Sequence, residues 1–139
     1  MASSKILYVE TSPTQQQATT GNWEIMKGLA LTLPPANSDA KVALVILNVP
    51  NPYAIGNNYP GANFSINVTG SFAGTVPIAC FTYSTQSLPN SSGRMPTTLV
   101  ARIPLVKGTL ALQAVWQSVR QSTVIVDTPC SLSAILGMT

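Results

Sequence analysis

The chain has 139 residues, of which 8% are charged and 45% apolar; so low a charged share beside so high an apolar one excludes a disordered chain and indicates a packed fold. The net charge is +3, but Lys5, Lys27, Lys41, Arg94, Arg102, Lys107 and Arg120 collect in no run, which argues against nucleic acid as a partner. Histidine is absent, and with it the commonest general base and metal ligand, so neither an enzyme nor a metal or other cofactor site is expected.

From the N-terminus, Lys5 to Glu10 (KILYVE) reads as a short strand. The N-terminal stretch MASSKILYVETSP holds no apolar run of signal-peptide length, so no signal peptide is expected. Thr11 to Thr20 is polar, with Pro13 and a glutamine run, and reads as a loop. Trp23 to Gly28 is ambiguous, whereas Leu29 to Leu33 is strand-like and stops at Pro34 and Pro35. Ala36 to Ala40 is a turn.

Lys41 to Val49 (KVALVILNV) is apolar on both alternating faces. In a sandwich one face meets the partner sheet, and the other then needs a second cover, such as a neighbouring subunit. The run is too short to span a membrane, and no membrane insertion is expected. Pro50 to Gly61 (PNPYAIGNNYPG) reads as a loop. It carries Tyr53 and Tyr59, either as recognition side chains or packed back onto the sandwich.

Ala62 to Thr69 is a strand, and Thr75 to Tyr83 is the next. In Phe81, Thr82 and Tyr83, apolar and hydroxyl-bearing side chains alternate. The polar stretch Gln86 to Gly93 follows and delivers Arg94. Hydroxyls, aromatic rings and a guanidinium so gathered suit a neutral, hydroxyl-rich ligand such as carbohydrate; the plainer reading is a strand leading into a solvated loop. Thr98 to Leu105 is a strand whose Pro104 suggests an edge or a bend. Thr109 to Val119 alternates, with Leu110, Leu112, Ala114 and Trp116 on one face and Arg120 at its end. Ser122 to Thr128 and Ser131 to Leu136 are the last strands, split by Pro129.

No segment holds a helical period, so the fold class is all-β, an antiparallel sandwich or jelly roll in one domain spanning 1–139. Cys80 and Cys130 both lie in or beside apolar segments, as two buried thiols or as a disulfide. Glu10 and Glu24 could meet, but nothing in their spacing makes them the paired carboxyls of a glycosidase.

Several segments, in order and at matching separations, closely resemble a known family. They are ILNVPNPYAIGNNYPG (46–61), CFTYSTQSLPNSSGRMP (80–96), WQSVR (116–120) and SLSAI (131–135). The resemblance is to the TNF-like, fucose-binding lectin domain at the N-terminus of a Burkholderia two-domain superlectin. It covers the chain from about Val42 onward.

The resemblance implies a TNF/C1q-like jelly roll assembled as a homotrimer. It further implies binding of fucosylated oligosaccharides, on a host or competitor cell surface, in sites between protomers. By motif the fucose-contacting positions fall on Tyr53, Thr82, Tyr83, Ser91, Ser92, Arg94 and Arg120. The family has Thr where this chain has Ser92. It has a tyrosine where this chain has Asn63, and an aspartate where this chain has Ile78. Losing the ring removes stacking area worth about 1 kcal/mol, and losing the acid removes an acceptor for the rest of the glycan. Asn63 and Ile78 are therefore the expected places for altered glycan context. The relative's second, calcium-dependent lectin domain is not expected here. The protein is expected to act outside the cell after release by a route other than a signal peptide. The alternative reading is a trimeric jelly-roll structural or decoration protein without sugar binding.

Overall fold

Among the described residues, alternating apolar side chains punctuated by Pro and Gly produce eleven strands and no helix. The computed structural model describes residues 5–12, 14–69, 76–84 and 93–138. The strands are β1 (Lys5–Glu10), β2 (Gln16–Ala18), β3 (Glu24–Leu33), β4 (Val42–Val49), β5 (Tyr53–Ile55), β6 (Gly61–Val68), β7 (Ala79–Thr82), β8 (Thr97–Pro104), β9 (Leu110–Val119), β10 (Thr123–Val126) and β11 (Ser131–Gly137).

One sheet has the order β1-β11-β4-β8, another β3-β9-β6-β7, and a small one β2-β10-β5. All pairings are antiparallel, and strands distant in the chain lie side by side. That is a jelly roll, as the sequence pattern predicts. The two four-stranded sheets meet face to face. Ala43, Val45, Leu47 and Val49 of β4 oppose Phe64, Leu112, Ala114 and Trp116 in one core. Pro104 closes β8, which is an edge strand, where a missing N–H costs no ladder bond.

The outer face of β1-β11-β4-β8 is also apolar. Ile6 is 66% exposed, Tyr8 56%, Leu44 40%, Val100 52% and Ile135 39%. Register places Ile6, Ile135 and Leu44 in one row and Ile46 beside Val100 in the next. The described residues therefore cover only one of the two apolar faces of β4.

Several expectations need correction. The polar loop 11–20 contains β2, and the loop 50–61 contains β5. Both strands are short, and both exist because β10 lies between them and pairs with each. The ambiguous stretch Trp23–Gly28 begins β3 at Glu24. Cys80 is exposed and Cys130 buried, and both are free thiols. Cys80 faces out because β7 is an edge strand and its alternation turns Phe81 inward. Burial pushes the Cys130 thiol up to about 11, which holds it protonated and inert at neutral pH.

The β3–β9 ladder breaks between Ile25 and Ala30, at Gly28 with φ 85°. The Gln113 amide Nε2 donates to the carbonyls of Met26 (3.0 Å) and Leu29 (3.1 Å), which the bulge leaves without ladder partners. Gln16 does the same on the other side, donating to the Lys27 carbonyl at 3.1 Å and accepting from its N–H at 3.1 Å. Side-chain amides thus replace the missing ladder. Gln113→Ala would leave part-buried carbonyls unpaired and is expected to lower stability by about 1–3 kcal/mol, read as a fall in the denaturation midpoint at constant slope.

Candidate functional site

The inward positions of β9, β6 and β7 carry a row of rings that leads from the core to one end of the sandwich. Trp116 and Phe64 are cross-strand partners, with centroids 6.3 Å apart. Phe64 meets Phe81 at 6.2 Å, and Phe81 meets Tyr83 edge-on at 5.6 Å. Tyr83 follows the last residue of β7, and its N–H donates to the Pro60 carbonyl at 2.9 Å. Its hydroxyl donates to the Gly93 carbonyl and accepts from the Ala54 N–H at 3.3 Å. One phenol therefore joins β7, β5 and the segment entering β8. Burial raises its pKa above the usual tyrosine value, so it stays a neutral donor.

Arg94 lies in that entering segment. Its guanidinium covers the Tyr53 ring, with Cζ 4.3 Å from the centroid. Nη1 donates to the Asn51 carbonyl at 3.0 Å and to Asp127 Oδ1 at 2.8 Å, and Nη2 donates to Asp127 Oδ2 at 3.1 Å. The hydrogen bond to Asp127 raises the Arg94 pKa further, so the cation is permanent. The pair is partly open, with side chains 33% and 35% exposed. A pair this exposed fixes geometry more than it adds stability.

Thr82 is exposed on the edge strand, opposite Gly61 and, one strand further, Val119. A Cβ at Gly61 would run into the Phe81 carbonyl oxygen and lie 2.9 Å from Thr82 Oγ1. Only glycine lets β7 carry Thr82 so close.

Arg120 occupies a different turn. Ser122 N–H donates to the Val119 carbonyl at 3.1 Å, and the central residues Arg120 and Gln121 have φ of 51° and 60°. That is the pattern of a type I′ turn, which normally selects Asn and Gly. Arg120 Nε donates to the carbonyls of Asn58 and Tyr59, each at 3.1 Å, and Nη2 to Tyr59 at 2.7 Å. Tyr59 also has positive φ, 48°. A cleft of about 420 Å³ lies between Gly56, Asn57, Asn58, Arg120 and Gln121.

Of the positions that the sequence predicts, Tyr53, Tyr83 and Arg94 come together. Thr82 adjoins them, and Arg120, in the Val119–Ser122 turn, is bound instead to the carbonyls of Asn58 and Tyr59. Ser91 and Ser92 lie outside the described residues. Ile78, Cys80 and Thr82 share one face of the β7 segment, and Asn63 pairs with Cys80 on the same sheet. Asn63 Nδ2 donates to Gln117 Oε1 at 2.8 Å. Tyr53 is half-buried in a strand and not on a free loop, because β10 pairs with it.

Sequence reasoning passed over Asp127 and Asn51. Asp127 is one of only four carboxylates in the chain, and it stands at the end of an apolar strand. That isolation is the signal that could have marked it.

A larger cleft, of about 710 Å³, lies apart from this cluster at the β3 bulge, and Glu10 and Glu24 both line it. Their carboxylates are already engaged. Glu24 accepts from the N–H groups of Thr19 (3.2 Å) and Thr20 (3.3 Å) and from Thr20 Oγ1 (3.1 Å), and Glu10 from the Tyr8 hydroxyl (2.6 Å).

The sequence model of the family described as "Bc2l-C, N-terminal domain" matches residues 8–135. No curated protein matches the chain. Among solved structures, dimeric latent PorU from Porphyromonas gingivalis aligns with TM-score 0.54 at 14% identity, over 96% of this chain and 13% of the PorU chain. Eiger TNF from S. frugiperda aligns with TM-score 0.51 at 8% identity, over 96% of this chain and 93% of that one. The chain thus spans a small part of PorU and nearly the whole of the TNF domain. At these identities the likeness is one of fold, the TNF-like jelly roll.

Gly61→Ala is expected to push β7 outward and to lower stability by about 1–3 kcal/mol through overpacking. Amide chemical shifts of Thr82 and Tyr83 should move most, while those of β4 and β11 stay in place.

Proposed function

Because the chain belongs to the Bc2l-C N-terminal-domain family, we propose that it is a lectin that binds fucosylated oligosaccharides at sites between the protomers of a homotrimer. The observation that carries this reading is the Tyr53–Arg94–Tyr83 cluster, fixed by backbone and ring contacts yet partly open to solvent. Sugar recognition needs donors and acceptors at fixed spacing and an apolar surface for C–H faces. Arg94 supplies donors, Thr82 both donates and accepts, and the tyrosine rings offer faces to a methyl group or a pyranose. Ser91 and Ser92 add hydroxyls, and Asn63 and Ile78 contact the extended glycan.

The exposed apolar face of Ile6, Tyr8, Leu44, Val100 and Ile135 supports the trimer. A contiguous sheet face of this kind calls for cover, and a second copy supplies it with few charges to desolvate. The two arginines favour a site shared between copies. Among the described residues of one protomer they share no hydrogen-bond partner and serve different segments, Arg94 residues 51 and 127, Arg120 residues 58 and 59. Action at a host or competitor cell surface follows from the ligand class, and avidity of a trimer offsets weak single-site affinity.

Strain at Arg120 adds weight. A long side chain at positive φ, where Asn or Gly would be relaxed, is retained at functional sites. The competing reading, a trimeric structural or decoration protein, draws on the same contacts, since both arginines also hold loops together.

A glycan array with the labelled protein, competed by free fucose, separates the two. Selective, fucose-competed binding is expected; a blank array from a folded trimer would favour the structural reading. Replacing Arg120-Gln121 by Asn-Gly should relax the turn, give up the Arg120 bonds to the Asn58 and Tyr59 carbonyls, leave the trimer in place and abolish glycan binding. Ile135→Glu should turn the trimer into a monomer by sedimentation, and a trimer unchanged by it would remove the β1-β11-β4-β8 face from the interface.

A further inference from the structure

A guanidinium has five N–H donors in a fixed plane. In Arg94, Nη1 spends both of its donors, on the Asn51 carbonyl and Asp127 Oδ1, and Nη2 spends one on Asp127 Oδ2. Asp127 therefore occupies the terminal edge, the one between the two Nη atoms. The Nε–H and the second Nη2–H take no partner among the described residues. These two donors lie side by side on the lateral edge, at the spacing of two neighbouring oxygens. The Tyr53 ring covers one face of the plane and prevents the guanidinium from turning over.

We infer that Asp127 is the positioning and specificity-determining residue of the sugar site: it locks Arg94 with its lateral edge toward two adjacent hydroxyl oxygens and selects neutral sugars over acidic ones. The inference rests on the lectin reading above and goes beyond it. A free arginine at a ligand site is a carboxylate receptor, because its fork matches a carboxylate in shape and charge. Here the protein's own carboxylate already fills that role. A ligand carboxylate on the lateral edge would face Asp127 across one guanidinium, and the like charges repel at this range. A pair of hydroxyls meets no such penalty.

Clamping before binding also removes the ordering cost of a long, flexible side chain from the binding step. Among the described residues the groups that face Arg94 are Asp127, Tyr53 and Tyr83, and of these only Asp127 has a carboxyl group. Arg120 hands its donors to carbonyls and keeps its charge. Selection against acids is thus a property of the Arg94 end. The placement of a carboxylate here is the more telling because the chain has only four.

The test uses the full chain, wild type and Asp127→Asn, titrated with methyl α-L-fucoside and with the same ring carrying a carboxylate at C6. Wild type is expected to prefer the neutral sugar. Asp127→Asn should bind the fucoside roughly tenfold to hundredfold more weakly, as for loss of a charged hydrogen-bond partner. The ratio of acidic to neutral binding should rise roughly twofold to fivefold, one exposed charge contact of ordinary size. A general loss of structure would weaken both ligands together and leave the ratio unmoved. Equal fucoside affinity and an unchanged ratio in Asp127→Asn would overturn the inference, as would a wild type that prefers the acid.

A ligand-free readout keeps the two layers of interpretation apart. In wild type the ¹⁵N Nη resonances of Arg94, assigned by their loss in Arg94→Lys, should be resolved, because the clamp slows rotation about Cζ–Nη. Averaged resonances in wild type would overturn the clamp whatever the sugar does, and whether or not the Asn variant folds. Resolved resonances together with no fucoside binding would overturn the fucose reading, and with it the selectivity, while the clamp stands.

Discussion

Phe64 is the residue on which core and candidate site both depend. Its ring lies between Trp116 of β9 and Phe81 of β7, and Phe81 in turn holds the edge of Tyr83. The row exists because inward positions on neighbouring strands fall into register, Phe64 opposite Trp116 and Ala62 opposite both Phe81 and Ser118. Small residues between the rings leave room for them. The result is that the phenol of Tyr83 is aimed by the hydrophobic core and not by a loop. From there it fixes Ala54 and Gly93, and so the approach of Arg94. A cluster built this way inherits the rigidity of close-packed aromatic side chains.

At the ends and bulges of its ladders the chain completes backbone hydrogen bonding largely with uncharged side chains. Where ladders end or bulge, Gln113, Gln16 and Ser122 reach the orphaned groups: Met26 and Leu29, Lys27, and Gly61 with Val119. Gln117 donates to the Gly21 carbonyl while its oxygen accepts from Asn63. An amide both donates and accepts and carries no large desolvation cost, so it mends a half-buried strand edge better than a charge would. This explains how a domain with 8% charged residues pairs the backbone groups its ladders leave over, although the buried hydroxyls of Ser118 and Thr128 take no partner among the described residues. It also makes the Arg94–Asp127 pair conspicuous, since it is the ion pair among the described residues.

Alternation made the long strands legible. β4, β9 and β11 have full inner faces, and their sequence period alone locates them within a residue or two. β2 and β5 are three residues each, too short for a period, and arise from pairing with β10, which no local signal reports. The positions of the candidate site came from motif resemblance, and Tyr53, Tyr83 and Arg94 do converge. Asp127 escaped because it stands 33 residues from Arg94, and a pair so far apart in the chain leaves no spacing to read. Cys80 escaped because its neighbours are apolar, although an edge strand turns every second residue to solvent.

The two arginines are held in physically different ways, and the difference bears on what each can do. Arg94 has a relaxed backbone and a clamped, charge-compensated side chain. Arg120 has a strained backbone, at φ 51°, and a side chain that trades its Nε edge for two carbonyls of another left-handed residue's turn. In Arg120 the Nη1 donors take no partner among the described residues, so its terminal edge faces outward where that of Arg94 is filled. One arginine thus offers a lateral fork without net charge, and the other a terminal fork with its charge intact. A ligand that engages both must present neighbouring hydroxyls to the first and a hydrogen-bond acceptor of either charge to the second. A neutral sugar ring with substituents at both ends meets both demands, whereas a compact anion would satisfy Arg120 alone.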